Sequence, residues 1–297
     1  MTEVPTITLN DGNKMPLLGL GVFQIPDHEK ARQTVEMALA NGYRMIDTAE
    51  VYENQIAVGE AIAESAVNRD DIFLTTKIWV SNMSFEKATK AIDHDLKELG
   101  TDYLDLVLLH QPYGDTFGAW NALAAAKRAG KVRSIGLSNF YPDQYMNLEL
   151  AHEDKPAINQ IEINPWFQQT NDVKFFQGRD VAVEAWAQFA EGKHDIFNNK
   201  TLKEIAEAHH KTTAQVILRW LTQQDIVVIP KSVHEKCQKE NLDIFDFELT
   251  KDEMDKIKGL DKGVSQFFDH RDPVVIDDVF GESLKQLRDS EEPVILI

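Results

Sequence analysis

The sequence predicts an α/β barrel of eight strand–helix units, a (β/α)8 TIM barrel. Two observations carry that reading. Short apolar stretches of strand character alternate with segments whose apolar residues recur at spacings of three and four. Three consecutive stretches also end in an ionisable group: Met45–Ile46 runs into Asp47, Phe73 to Thr76 into Lys77, and Leu104 to Leu109 into His110. A carboxylate at the end of a buried strand is costly to desolvate without a cationic partner. Groups at the ends of successive strands meet only where those strands run parallel.

The chain opens with a predicted hairpin, Thr6 to Leu9 and Met15 to Leu18, around the turn signal Asp11-Gly12-Asn13. Strands are predicted near Leu18 to Leu20, Arg44 to Ile46, Phe73 to Thr76, Leu104 to Leu109, Val132 to Leu137, Ile158 to Ile161, Val181 to Ala185 and Ile226 to Ile229. Helical periodicity covers Lys30 to Ala40, Ile56 to Ala66, Phe85 to Leu99, Phe117 to Ala129 and Gln144 to Ala151, and a longer seventh connection holds two helices, Leu202 to His209 and Ala214 to Thr222. No Pro-, Gly- or Ser-rich linker interrupts the pattern, so 1–297 is expected to form a single barrel domain.

Hydrophobic residues make up 43% and charged residues 27%, and no apolar stretch reaches the roughly 20 residues that span a bilayer, so a membrane partner is not expected. The N-terminus lacks a basic region followed by an apolar core. A single cysteine, Cys237, cannot form an internal disulfide, which points to a reducing, cytoplasmic setting. The formal charge of −18 repels polyanions and argues against a nucleic-acid partner.

In a barrel of this kind, residues just past the C-terminal strand ends converge on one mouth. Asp47, Lys77 and His110 have that address, with Tyr52 shortly after the first of them. Taken singly, a Tyr or a His is most often a packing residue. The coincidence of carboxylate, phenol, ammonium and imidazole at three consecutive strand ends is what points to chemistry. No metal is expected, because the His and Cys residues show no ligand spacing and His209-His210 reads as a solvated helix end.

Together these motifs resemble the aldo-keto reductase family, in particular its bacterial diketogluconate reductase-like members, from the hairpin to about residue 274. The resemblance rests on Gly42-Tyr43-Arg44-Met45-Ile46-Asp47-Thr48-Ala49 with Tyr52 and Val58-Gly59, on Lys77-Ile78-Trp79, and on His110-Gln111-Pro112. Gly136-Leu137-Ser138-Asn139-Phe140, Asn159-Gln160 and Ile229-Pro230-Lys231-Ser232 complete it. It implies that Asp47, Tyr52, Lys77 and His110 form a catalytic tetrad that reduces aldehydes or ketones to alcohols with hydride from NADPH. The chemistry agrees: hydride transfer leaves negative charge on oxygen, which requires a proton donor and fixed positive potential. Tyr52 would be the general acid, Lys77 would lower its pKa, Asp47 would hold Lys77, and His110 would orient the carbonyl.

A dinucleotide fingerprint is missing, since Gly19-Leu20-Gly21 lacks the third Gly, and a Rossmann domain is disfavoured. The resemblance instead implies a cofactor laid across the mouth. Ser138, Asn139 and Gln160 would hold the nicotinamide carboxamide and Trp186 would stack on its ring, with Val22 a further contact. Lys231 and Ser232 would hold the 2′-phosphate, and Glu240 and Asn241 the adenine. Cys237 stands where many relatives place an Arg over the adenine and phosphate, so the expected cofactor is NADPH with a preference weaker than the family norm, and NADH possible. Phe23 and Trp79, and at one remove Trp166, correspond to substrate positions; Phe267 and Phe268 belong to a loop, 263–276, that closes the pocket. Met45, Gln55 and Gln188 stand where relatives often have His, Glu and Pro.

The tail after Val275, with Asp277, Asp278 and Pro-Val-Ile-Leu-Ile at its end, departs from the family pattern and has three outcomes open to it: capping the barrel, joining a partner or staying disordered. The expected partner is a small carbonyl compound, and the expected state a monomer or weak homodimer. Two rival readings share the residues. One is a non-catalytic nucleotide-binding barrel in a regulatory or structural role; the other is an enzyme working mainly as an alcohol dehydrogenase.

Overall fold

A hairpin comes first, β1 (Thr6–Thr8) paired antiparallel with β2 (Lys14–Pro16) through a turn in which Gly12 lies at φ +87°. The computed structural model describes residues 4–295. Strands and helices then alternate: β3 (Leu20–Gly21), α1 (His28–Asn41), β4 (Met45–Asp47), α2 (Gln55–Glu64), β5 (Phe73–Ile78), α3 (Phe85–Glu98), β6 (Leu104–Leu109), α4 (Thr116–Arg128), β7 (Val132–Ser138) and α5 (Pro142–Ala151). They continue with β8 (Ile158–Glu162), α6 (Thr170–Gln177), β9 (Ala182–Trp186), α7 (Lys200–Ala208), α8 (Thr213–Thr222), β10 (Ile226–Val228), α9 (Glu235–Leu242), α10 (Lys251–Lys258) and α11 (Pro273–Asp289).

Local chemistry sets the helix ends. Asp27 accepts the Lys30 N–H at the start of α1, Ser84 accepts that of Lys87 at the start of α3, and Thr212 and Thr250 form capping boxes on α8 and α10. Helix α1 stops at Gly42, whose φ of 106° is a left-handed cap that an L side chain resists.

The eight strands β3 to β10 pair in sequence order, all parallel. The sheet closes on itself: Leu18 bridges Val228, Gly19 N–H donates to the Val228 carbonyl at 2.9 Å, and Val228 N–H donates to that of Leu17 at 3.0 Å. The chain is therefore the predicted (β/α)8 barrel. Alternate residues on each strand face opposite ways. Ile46, Leu74, Val107, Ile135, Ile161, Val183 and Val228 face the helices in one large core. Met45, Phe73, Leu106, Leu108, Ile158, Val227 and Ile229 fill the barrel, joined from below by Leu9, Met15 and Leu17 of the hairpin segment. The hairpin thus plugs the N-terminal end and leaves the opposite end for the site.

Several strands start or stop one or two residues away from the predicted bounds. The instructive case is β5, which runs through Lys77 to Ile78, so Lys77 is part of the pleat rather than just past it. Asp47 is likewise the last residue of β4. Their side chains therefore point into the barrel by strand geometry.

The tail, open in the sequence, caps the barrel. Helix α11 lies across the 3-10 turn Val80–Asn82 that follows β5, with Phe280 1% exposed. The apolar spacing Ile276, Phe280, Leu284, Leu287 is a helix face. Lys87 Nζ donates to the Gln286 and Leu287 carbonyls at 3.1 and 2.8 Å, placing a cation at the helix C-terminus. Beyond it, Asn82 exchanges two hydrogen bonds with the Val294 backbone, 2.8 and 3.1 Å, and Lys90 pairs with Glu292 at 2.6 Å. The last two residues, Leu296 and Ile297, lie outside the described residues. No helix among the described residues is long and apolar enough to cross a membrane.

At the seam where β3 meets the end of β10, a Cβ added to Gly21 would lie 2.7 Å from the Ile229 carbonyl. Gly21→Ala is expected to force the closure apart and to cost about 1–3 kcal/mol, read as a lower urea midpoint. An unchanged midpoint would show that the seam has slack.

Candidate active site

Lys77 is fully buried, and its ammonium has three donors. All three are used: Nζ lies 2.5 Å from Asp47 Oδ1, 3.0 Å from the Thr48 carbonyl and 3.3 Å from the Tyr52 hydroxyl. Tyr52 ends a 3-10 turn, Glu50–Tyr52, that is held from both sides. Glu50 accepts the Trp79 N–H and the Asn82 side-chain amide, and Asn54 accepts from Thr48 at 2.8 Å while donating to the Val22 carbonyl at 2.9 Å. His110 is the first residue past β6, its N–H on the Ile78 carbonyl at 3.1 Å, and its ring lies 5.8 Å from that of Tyr52 and 5.0 Å from that of Trp79. The four residues named from the sequence are thus in one place.

Burial works against the charge of Lys77, but Asp47 and then Tyr52 overcome it, so the ammonium stays protonated well past its ordinary range. Burial pushes the Asp47 carboxyl up against the pull of Lys77. Tyr52 departs from expectation. The adjacent ammonium lowers its pKa as anticipated, but burial is the larger influence and the phenol is raised overall, with Asp47 adding to the rise. Desolvation of the would-be phenolate outweighs one favourable charge, so Tyr52 holds its proton firmly. Burial, then the charge of Lys77, then His270 push His110 well below its ordinary value, leaving a neutral imidazole.

Further around the mouth, Gln160 on β8 donates through Nε2 to Asp47 Oδ2 at 3.0 Å and to Glu184 Oε2 at 2.8 Å. Asn139, at φ 64°, donates to the His110 carbonyl and to Ser138 Oγ, both at 3.1 Å, and accepts the Trp186 indole N–H at 2.9 Å. Ser138, Asn139, Gln160 and Trp186 therefore form one connected arc along the ends of β7, β8 and β9. Val22 is a core residue with no exposed surface, its N–H on the Asp47 carbonyl and its own carbonyl taken by Asn54, so the structure does not present it to a ligand as expected. Lys231 is exposed beyond β10, and Ser232 caps the next turn by accepting the His234 N–H. On α9, Lys236 lies 3.6 Å from Glu240 and Lys239 2.6 Å from Glu235, exposed pairs one turn apart on either side of Cys237. Asn241 is 4% exposed, which leaves it little surface for an adenine.

On the substrate side, Phe23 is 48% exposed with its ring 5.0 Å from Tyr52. Trp79 reaches Ser283 Oγ of α11 through Nε1 at 3.0 Å, and its ring is 5.8 Å from Phe280. Tyr113, Phe268 and His270 complete an aromatic ceiling around Phe280. Phe267 packs 5.4 Å from Trp186, whereas Trp166 is buried beneath Lys262. Gln188 is buried, with its amide on the Ala185 carbonyl, at the start of an irregular loop with Ala187 at φ 51°.

Glu184, Tyr113, His270, Phe280 and Ser283 escaped the sequence reading. A signal existed for two of them: Glu184 interrupts an apolar strand two residues before Trp186, on the same face, and Phe280 sits on the apolar stripe of α11. His209 is also not simply solvated, since it pairs with Glu253 at 3.0 Å. Away from the tetrad, the side chains of His94, Asp95 and Glu98 converge within 4.8 Å on α3, a spacing the sequence reading passed over.

The sequence model of the Aldo/keto reductase family matches residues 17–262, and the chain belongs to that family of oxidoreductases. A glyoxal reductase of Bacillus subtilis (strain 168) is 42% identical over 258 residues, covering 86% of this chain and 93% of the relative. Among solved structures, an aldo/keto reductase from Brucella melitensis superposes with a TM-score of 0.83 at 46% identity, covering 87% of this chain and 100% of that one. An aldo-keto reductase of Bombyx mori in complex with NADP does so with a TM-score of 0.86 at 33% identity, covering 94% and 98%.

The aromatic ceiling predicts its own weak point. Phe280→Ala is expected to release α11 while the barrel stays folded, because a Phe-to-Ala truncation in a core costs about 3–5 kcal/mol and α11 is anchored mainly there. Hydrogen exchange across 273–289 is the measurement. Retained protection would place the anchoring in the Lys87 and Asn82 contacts instead.

Proposed function

We propose that the protein reduces aldehyde or ketone carbonyls to alcohols with NADPH, using Tyr52 as the general acid. The observation that carries this is the buried ammonium of Lys77 lying 3.3 Å from the Tyr52 hydroxyl, with a neutral His110 beside them. A purely binding role has no use for a phenol against a fully desolvated ammonium. When bound, NADPH supplies a hydride to the carbonyl carbon.

The chain's own residues handle the oxygen and the proton. His110, neutral, can donate one hydrogen bond to the carbonyl oxygen and so set which face is presented. Negative charge growing on that oxygen is met by the potential of Lys77. Tyr52 gives up its proton to the oxygen; the resulting phenolate is stabilised by Lys77 until it is reprotonated from solvent. Asp47 keeps Lys77 charged and aimed. Phe23, Trp79 and Phe280 exclude water around the reacting atoms.

The residues fit a nicotinamide dinucleotide. Gln160 spends its N–H groups on two carboxyl groups and keeps its carbonyl oxygen to accept from a carboxamide. Trp186 is half-buried and fixed by Asn139, so one ring face can take a flat heterocycle. Lys231, exposed at the end of β10, offers a charge to a 2′-phosphate, and Ser232 a hydroxyl. The NADP complex of the Bombyx mori relative supports the phosphorylated cofactor. The small aldehydes and dicarbonyls suggested by the name of the Bacillus subtilis relative are the first substrates to try.

Tyr52→Phe is expected to lower carbonyl reduction by about 10²-fold or more with the NADPH dissociation constant nearly unchanged, read by steady-state rates and fluorescence titration. Wild-type turnover in the variant would remove Tyr52 from the role of acid.

The cofactor preference has a separate test. The wild type is expected to bind NADPH more tightly than NADH, by less than a guanidinium at position 237 would give. Cys237→Arg should tighten NADPH by about tenfold, the worth of one charge-assisted pair. Equal affinity for both cofactors in the wild type would defeat the preference.

A further inference from the structure

We propose that Glu184 is a positioning residue of this site: as a neutral acid it holds the Gln160 amide in its cofactor-facing orientation, and its ionisation at alkaline pH weakens both cofactor binding and proton donation. The inference rests on the carbonyl-reductase reading for its kinetic half and on cofactor binding alone for the other.

Glu184 is completely buried in the barrel, in register with Val227 on β10 to one side and with Gln160 on β8 to the other. Its Oε2 accepts from Gln160 Nε2, and its Oε1 has no hydrogen-bond partner among the described residues. The same Gln160 nitrogen reaches Asp47 Oδ2. An NH2 group with two hydrogens is therefore shared between two carboxyl groups, which fixes which way the amide is turned. Without Glu184 the amide has one anchor and is free to rotate about it.

Charge decides the protonation state. Facing Glu184 are Asp47 from β4, Lys77 from β5 and Tyr52 from the turn after β4. From β8 it meets the uncharged Gln160, and from β10 only apolar residues; Glu162, higher on β8, is committed to Ser265 and the Gln266 N–H. One ammonium and one carboxylate already balance, so an ionised Glu184 is a second buried anion with no cation of its own. Burial first, then the charge of Asp47, push its carboxyl up to about 8, with Gln160 and Lys77 pulling back. Below that pH the buried cluster is neutral. Above it the cluster is negative, and the charge of Glu184 pushes the Tyr52 phenol further from donating.

The test uses the full chain, with NADPH titrated by fluorescence from pH 6 to 10 and carbonyl reduction followed over the same range. In the wild type, NADPH affinity and kcat/KM should both fall above pH 8, by about tenfold per pH unit for kcat/KM. Glu184→Gln imitates the neutral acid and should move both limbs above pH 9. Glu184→Ala removes the anchor and should weaken NADPH by about tenfold below pH 8, one hydrogen-bonded anchor's worth, and should show no further loss of NADPH affinity above it. Limbs that stay near pH 8 in Glu184→Gln overturn the proposal; this also separates Glu184 from Asp95, pushed up to about 8 on α3. NADPH affinity in Glu184→Ala equal to wild type below pH 8 overturns the positioning role. If no carbonyl is reduced by any of the proteins, the proposed function fails, and the NADPH titrations alone still decide on Glu184.

Discussion

A lysine with no solvent contact, inside a barrel, is the constraint to which the rest of the mouth answers. Removing an ammonium from water costs several kcal/mol, which an ion pair alone need not recover. Here the remaining donors are also satisfied, by the Thr48 carbonyl and the Tyr52 hydroxyl. Each of these partners comes from the segment just after β4, so that segment cannot move without stranding the charge. The phenol is therefore held beside the ammonium by electrostatics as much as by packing.

The same segment links the site to the tail. Glu50, two residues before Tyr52, accepts from the Trp79 N–H and from Asn82, and Asn82 holds the Val294 backbone. Trp79 in turn touches His110, Phe280 and Ser283. The turn that carries the acid, the wall of the substrate side and the tail beyond α11 thus share one small set of hydrogen bonds. Glu50 is buried and its carboxyl is pushed well above the usual range, by burial first and then by the nearby charge of Asp95. A neutral Glu50 still accepts both bonds, so the linkage does not depend on its charge.

Most of the fold was legible because period and punctuation agree. Short apolar strands buried on both faces, bounded by capped helices, read directly from apolar runs and spacing. The mouth residues were legible for a different reason: Asp47, Lys77 and His110 are ionisable groups where a core residue was due, and Tyr52 follows the first of them within the family pattern. What was not legible depended on three-dimensional neighbours. The rise of the Tyr52 pKa follows from the desolvation of its hydroxyl among Phe23, His110 and the barrel wall, which no local sequence reveals. Glu184 breaks an apolar strand, but its tie to Asp47 through Gln160 is visible only in three dimensions. The course of the tail was open because an amphipathic stripe shows that a helix needs a partner without saying which surface supplies it.

The hairpin and α11 close opposite ends of one cylinder, and this makes the two termini unequal as points of attachment. Residue 4 lies by the plugged floor, with the thickness of the barrel between it and Tyr52. Residues 293–295 lie against Glu50 and Asn82, at the rim. A purification tag or fluorescent fusion joined at the front would leave the mouth undisturbed, whereas one joined behind residue 295 would pull on the strap that holds Phe280 in place. Immobilising the protein by its front end would, for the same reason, present its open face to the solution.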